Sequence, residues 1–128
     1  MITYKLVGRG HPVCGDDCPS FASPAMKAFW NTRSLDSCDM AVVAYDGEKL
    51  VGFFRFYNRY PTLWAGGTYL QASYRDRGIA AKLWQRAIKF LKPDEVCVTT
   101  TSRGGQKLVQ SLKRKYKTIV WDINRNFR

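Results

Sequence analysis

A change of hydrophobic period at Gly78 constrains the fold more than any other feature of the chain. Upstream of it, residues 40–57 and 63–73 are rich in Val, Phe, Tyr and Trp, residue types that suit a pleated, half-buried surface. Downstream, Ile79, Leu83, Trp84, Ala87, Ile88 and Leu91 recur at steps of one, three or four. They make one apolar stripe, with Lys82, Arg86 and Lys89 facing away. Pro93 ends that helix. A strand that passes into an amphipathic helix at a glycine sets the unpaired amides of a helix N-terminus at the end of a sheet. The chain is therefore expected to be a layered α/β molecule.

The remaining elements follow from local signals. Ile2 to Val7 alternates weakly and reads as a first strand, and a loop rich in Gly, Pro, Asp and Cys runs from Gly8 to Ala22. Ser23-Pro24 pairs a capping residue with a proline at the first helical position, and Met26, Phe29, Trp30 and Arg33 recur at helical spacing. Met40 to Tyr45 and Lys49 to Tyr57 flank Asp46-Gly47, the dipeptide of a tight hairpin turn. Asn58 to Pro61 breaks the run, and Leu63 to Ser73 resumes it as a strand bulged or bent near Gly66-Gly67. Val96 to Thr101 is a β-branched strand, Leu108, Val109 and Leu112 mark a helix, and a last strand runs from Thr118 to Ile123, with Tyr116 near its start. The order is β, α, three strands, α, β, α, β, over one domain spanning residues 1–128.

Charge narrows the partners. The formal net charge is +11, and from Arg103 to Arg128 eight basic residues face only Asp122. Such a field draws polyanions such as nucleic acid, or the phosphates of a small ligand; it also serves simply to solubilise. No apolar run approaches the roughly 20 residues of a membrane span, and Met1 opens no secretory signal, so the expected location is the cytoplasm, with no membrane partner. The four cysteines, at 14, 18, 38 and 97, are then expected to be reduced thiols. His11, Cys14, Cys18 and Cys38 offer spacings that zinc accepts, but the second half of a finger pattern is missing, and no metal is expected.

The turn itself reads YRDRGIAAKLW from Tyr74 to Trp84. Gly78 removes a β-carbon that would hold a phosphate away from the helix amides, Ala80 keeps the next approach small, and Arg75 and Arg77 add charge-assisted contacts. These residues make a pyrophosphate cradle.

Here the sequence resembles the GNAT superfamily of acyl-CoA N-acyltransferases. Arg75, Gly78 and Ala80 satisfy its R/Q-x-x-G-x-G/A segment, and within Val42 to Phe56 the run VVAYDGEKLVGFF resembles its central hairpin. The resemblance implies a mixed, mainly antiparallel sheet of about six strands flanked by helices and splayed between the fourth and fifth strands. It implies acetyl-CoA, or another acyl-CoA, with the pyrophosphate on Arg75, Asp76, Arg77, Gly78, Ile79, Ala80 and Ala81. The pantetheine arm would lie along Leu70, Gln71 and Ala72, and Arg103 and Lys107 are further phosphate contacts.

The sequence also departs from the family. Ser111 falls where many members carry a tyrosine acid, and Tyr116 is a weak substitute. As bases, His11, Asp46, Glu48, Asp94 and Glu95 all remain open, His11 having an ordinary pKa of about 6.5. Arg55, Tyr57, Arg59, Tyr60 and Trp64 interleave charge with aromatic rings, as surfaces that stack on bases do, though ordinary sheet aromatics read the same way. Two readings stay open. One is an enzyme acylating an amine, either small or carried by a DNA base or an aminoacyl-tRNA. The other is a non-catalytic nucleic-acid-binding module of the same fold. Either is compatible with a monomer or a homodimer.

Overall fold

The computed structural model describes residues 1–31, 37–99 and 102–123. Its strands are β1 (Ile2–Gly8), β2 (Met40–Asp46), β3 (Lys49–Arg59), β4 (Thr62–Leu70), β5 (Glu95–Val98) and β6 (Val120–Ile123). The helices are α1 (Pro24–Asn31), α2 (Ile79–Leu91) and α3 (Arg103–Lys115). One six-stranded sheet holds the strands in sequence order. The first four pair antiparallel, whereas β4, β5 and β6 are parallel. This is the mixed, helix-flanked sheet of six strands that the family resemblance implies.

Gly47 turns the β2–β3 hairpin with φ +63°, and the β3–β4 register shifts between Arg55 and Phe56, which face Gly67 and Ala65. The shift leaves Gly66 as the extra residue, where a bulge was expected. Ser23 caps α1 by accepting from the Met26 amide at 3.3 Å. Arg33, and Thr100 and Thr101 at the end of the expected fifth strand, lie outside the described residues.

Side-chain alternation divides the interior in two. On one face Val42, Phe54, Phe56, Leu63, Val96 and Val98 pack against the apolar stripes of α2 and α3. On the other, Ala41, Val43, Phe53 and Tyr69 pack against Met26 and Trp30 of α1 and against Val13, Cys14 and Cys38. Trp84 holds α2 to the sheet twice over: its ring stacks on Phe54 with centroids 4.2 Å apart, and its Nε1 donates to Thr68 Oγ1 at 2.8 Å.

Several boundaries differ from the sequence reading: β3 does not break at Asn58 but pairs on through Arg59, and β5 ends at Val98, before Thr99. β4 stops at Leu70 and not Ser73, because the Gln71 amide donates to Val51 O at 2.8 Å and the chain then coils into a 3-10 turn, Ala72–Tyr74. Tyr116 does not begin the last strand. It ends α3, donating its amide to Leu112 O, and β6 starts only at Val120. Among the described residues no helix is long and apolar enough to cross a membrane.

Candidate active site

The parallel half of the sheet opens into a fork. β4 pairs with β5 at three positions only, Thr62↔Glu95, Leu63↔Val96 and Trp64↔Cys97. Beyond Trp64, residues 65–70 keep their ladder to β3 but have no partner on the β5 side among the described residues. That edge presents backbone donors and acceptors to whatever lies in the gap. The fork opens toward the C-terminal ends of β4 and β5.

At the same end stands the Gly78 turn. Gly78 is the left-handed N-cap of α2, φ +77°, and caps it with no side chain. A β-carbon built there would meet nothing within 4 Å, so the glycine leaves open space before the first helix amides. Asp76 also takes a positive φ, 63°. The turn is braced from three sides: Arg75 Nε donates to Leu70 O at 3.2 Å, Tyr74 OH donates to Asp46 Oδ2 at 2.6 Å, and the Arg77 guanidinium lies 5.1 Å from the Tyr74 ring centroid. The Tyr74 hydroxyl holds the Asp46 carboxylate below its ordinary pKa, and the carboxylate in turn raises the Tyr74 phenol. The uncapped amides, the dipole of a 13-residue helix and the open space at Gly78 fit the diphosphate of an acyl-CoA. The free edge of β4 fits its amide-bearing arm.

The other expected site residues scatter. Leu70 closes β4, while Gln71 and Ala72 have already left it for the 3-10 turn. Arg103 and Lys107 are exposed on α3 and line an open hollow of about 730 Å³ with Arg114 and Ile123, on the β6 side. Ser111 is exposed, on the side of α3 away from the buried Val109 and Leu112. Tyr116 sits at the N-terminal ends of β5 and β6, opposite the fork mouth; burial raises its phenol pKa. His11 lies at that same end, next to the close of β1. Its Nδ1 accepts from the Val13 amide at 3.1 Å, and burial, then Lys5, lower its pKa.

Of the aromatic and arginine set, Arg55 corrects the expectation outright. It is 1% exposed, donates from Nη2 to Gly15 O at 2.9 Å and lies 5.5 Å from the Trp30 ring centroid, so it cannot meet a polymer's phosphate. Arg59 is in an ion pair with Asp39. Tyr57 and Trp64 are half-buried and Tyr60 is exposed.

One grouping escaped the sequence reading. Ligand atoms of Glu95, Cys97 and Asp122 lie within 4.8 Å of one another. Cys97 pairs with Trp64 on one side and with Asp122 on the other, which puts these two on the last closed rung below the fork, while Glu95 lies two rungs further from the opening, beside Thr62. Glu95 accepts from Thr62 Oγ1 at 3.3 Å. By alternation these side chains point to the face opposite α2 and α3. Glu95 is visible in the sequence as a titratable residue, but the parallel β5–β6 register that brings Asp122 beside it carries no local signal. Among the described residues, His11, Cys14, Cys18 and Cys38 make no comparable convergence.

Comparison with known proteins gives the same picture. The model of the acetyltransferase (GNAT) family matches residues 4–117. No curated protein matches the chain significantly. Similar solved structures include a GNAT-family acetyltransferase of Streptococcus pneumoniae (TM-score 0.60, 18% identity, covering 91% of this chain and 92% of that one). A ribosomal-protein-alanine N-acetyltransferase of Brucella melitensis is similar too (0.58, 20%, 88% and 90%). So is a diaminobutyrate acetyltransferase of Paenibacillus lautus solved with L-2,4-diaminobutyric acid and coenzyme A (0.57, 17%, 91% and 77%). At these identities the likeness is one of fold.

Proposed function

The chain belongs to the acetyltransferase (GNAT) family, whose acyl donor is acetyl-CoA, and on that premise we propose that it acetylates a cationic primary amine arriving over the β5–β6 face. It does so as a single domain over residues 1–128, in the cytoplasm. The observation that carries this reading is the Glu95, Cys97 and Asp122 group at the fork apex, two carboxylates converging in a chain of net charge +11.

Acetyl-CoA, when bound, supplies a thioester carbonyl carbon to the incoming nitrogen. The Gly78 turn and the amides of Ile79, Ala80 and Ala81 hold its diphosphate, and the edge of residues 65–70 aligns its arm. A backbone N–H of that edge stabilises the negative charge that develops on the carbonyl oxygen. A primary amine enters protonated, its pKa being about 10. Glu95 and Asp122 attract the ammonium, and the Asp122 carboxylate takes one proton so that the nitrogen lone pair is free to attack. A second proton leaves the nitrogen after attack. Of the two, one ends on the departing thiol and one in solvent.

Thiol release from acetyl-CoA over a panel of diamines, amino acids and N-terminal peptides tests the reading. Asp122→Asn should lower kcat/KM by about 10²–10⁴-fold while leaving the dissociation constant for acetyl-CoA unchanged, and Glu95→Gln should mainly raise KM for the amine. Full activity in both variants removes the acidic group from the mechanism.

A second reading, an amine carried by a nucleic acid, is favoured by one observation. Lys82, Arg86, Lys89, Lys92 and Lys115 line an open groove of about 1040 Å³ whose lining contains no acid. A log–log slope of affinity against salt of about −4, for DNA or RNA, would support it. Salt-independent or absent binding leaves the small amine.

A further inference from the structure

The second interior cluster contains chemistry that the acetyl-transfer site does not use. Cys14 and Cys38 are 2% and 0% exposed, both with free thiols. The Cys38 amide donates to Cys14 O at 2.9 Å, which holds the two backbones side by side. Their thiols are near enough to act on each other, and Arg55, from the middle of β3, lies near enough to act on both. Cys14 lies in the loop before α1 and Cys38 just ahead of β2, so the pair joins the two ends of the segment that carries α1.

We propose that Cys14 and Cys38 are a redox pair that closes into a reversible intramolecular disulfide, tying down the α1 segment over the face opposite α2 and α3. Backbones joined by a direct N–H to O=C bond fall within the Cα separation that a disulfide spans, and two buried thiols on such neighbours need only side-chain rotation to meet. Arg55 distinguishes the partners. A hydrogen bond from Cys14 and the charge of Arg55 outweigh burial and lower the Cys38 pKa, while the Cys14 thiol is raised, so Cys38 is the partner that ionises first. As a thiol, Cys38 donates to Met40 O at 3.3 Å.

With hydrogen peroxide as the oxidant, the Cys38 thiolate attacks one peroxide oxygen and the O–O bond breaks, giving a sulfenic acid and hydroxide, which is protonated to water. The Cys14 sulfur then displaces the sulfenic hydroxyl, the S–S bond forms, and the thiol proton leaves with that hydroxyl as a second water. Two thiols are oxidised by two electrons and one peroxide is reduced to two waters. Ser37, next to Cys38, is exposed, and Gly15, next to Cys14, is half-buried, so a small oxidant has little depth to cross.

The unaltered protein serves for the test. It is treated with hydrogen peroxide, its remaining thiols are blocked with N-ethylmaleimide in denaturant, and it is digested without reductant by trypsin together with an Asp-specific endoproteinase. This frees residues 10–15, with Cys14 apart from Cys18, and residues 36–38, with Cys38 alone. The expected product is these two peptides linked and two hydrogens lighter than their sum, with Cys18 and Cys97 alkylated. The melting temperature should rise by on the order of 10 °C, and dithiothreitol should undo both changes. The proposal fails if Cys14 and Cys38 are both alkylated after treatment, if Cys38 goes to sulfinic acid while Cys14 stays free, or if the link joins Cys38 to Cys18 or to another molecule.

Discussion

Gly78 meets two demands that no other residue type meets together. At φ +77° an L side chain would be strained, and the space a β-carbon would enter is open. Gly78→Ala should therefore cost only about 1–2 kcal/mol of stability, all of it backbone strain. Gly78→Glu should add a carboxylate where the diphosphate belongs and weaken acetyl-CoA by more than about 100-fold, as a lost charge-assisted anion site implies; calorimetric titration reads it. The close approach was legible in the sequence, since a glycine set between a strand and an amphipathic helix leaves bare amides at the helix start; the left-handed backbone angle was not, because an N-cap is ordinarily extended. Arg55 was not. Its place in the run FFRFY suggested a solvent-facing arginine, yet Gly15 and Trp30, from remote segments, enclose it. Arg55→Ala should destabilise the fold by about 2–4 kcal/mol, since it removes charged hydrogen bonds from an interior site. Urea unfolding of the variant measures this.

Among the elements, β4 matters most to function because it is paired on one side along its length and on the other only as far as Trp64. Its position against β3 is fixed by close approach. A β-carbon at Gly52 would stand 2.7 Å from Leu70 Cδ1 and 2.8 Å from Tyr69 O, so Gly52→Ala must push the fork end of β4 away. The variant should lose about 1–3 kcal/mol and bind acetyl-CoA less well, although residue 52 touches no ligand in this reading. Hydrogen exchange followed with and without acetyl-CoA should show new protection in residues 65–70 and 75–82 and none in α1; unchanged exchange in residues 65–70 would mean the arm does not lie on that edge. Period and turn chemistry made these elements readable, down to the bulge at Gly66. The end of β4 was misplaced because Ser73 and Tyr74 suit a strand, and only the Gln71 bond to Val51 shows that the ladder has closed. The Glu95 and Asp122 pairing was hidden for a similar reason: parallel register depends on α3 packing across the sheet, and no local pattern encodes it.

Over the whole molecule, a single carboxylate ties together the sheet end opposite the fork. Asp39 accepts from Arg9 at 2.8 Å, from the Asn58 amide at 2.8 Å and from Arg59, joining the chain beyond β1, the lead into β2 and the end of β3. Burial alone would raise its pKa, but the hydrogen bonds from Arg9, the Asn58 amide and Arg59 outweigh that and hold it below the ordinary carboxylate range. The linkage therefore runs in one direction. Above the unfolded value, near 3.9, the folded state keeps the charge and the contribution is whole; as the pH falls through the lowered folded value, both states are protonated and the contribution is lost. The Asp39 side chain is 17% exposed and its partners Arg9 and Arg59 are 71% and 47% exposed, so solvent screens the arginine contacts while the Asn58 amide bond keeps its strength. Asp39→Asn should then cost about 1–2 kcal/mol at pH 7, and its unfolding curve should merge with that of the parent once the pH has fallen through the lowered folded value of Asp39. At 1 M salt, where the Debye length is about 3 Å, the gap at pH 7 should narrow but persist, because the amide bond survives screening. A gap that stays constant down to pH 2 would show that the variant acts through packing and not through the charge.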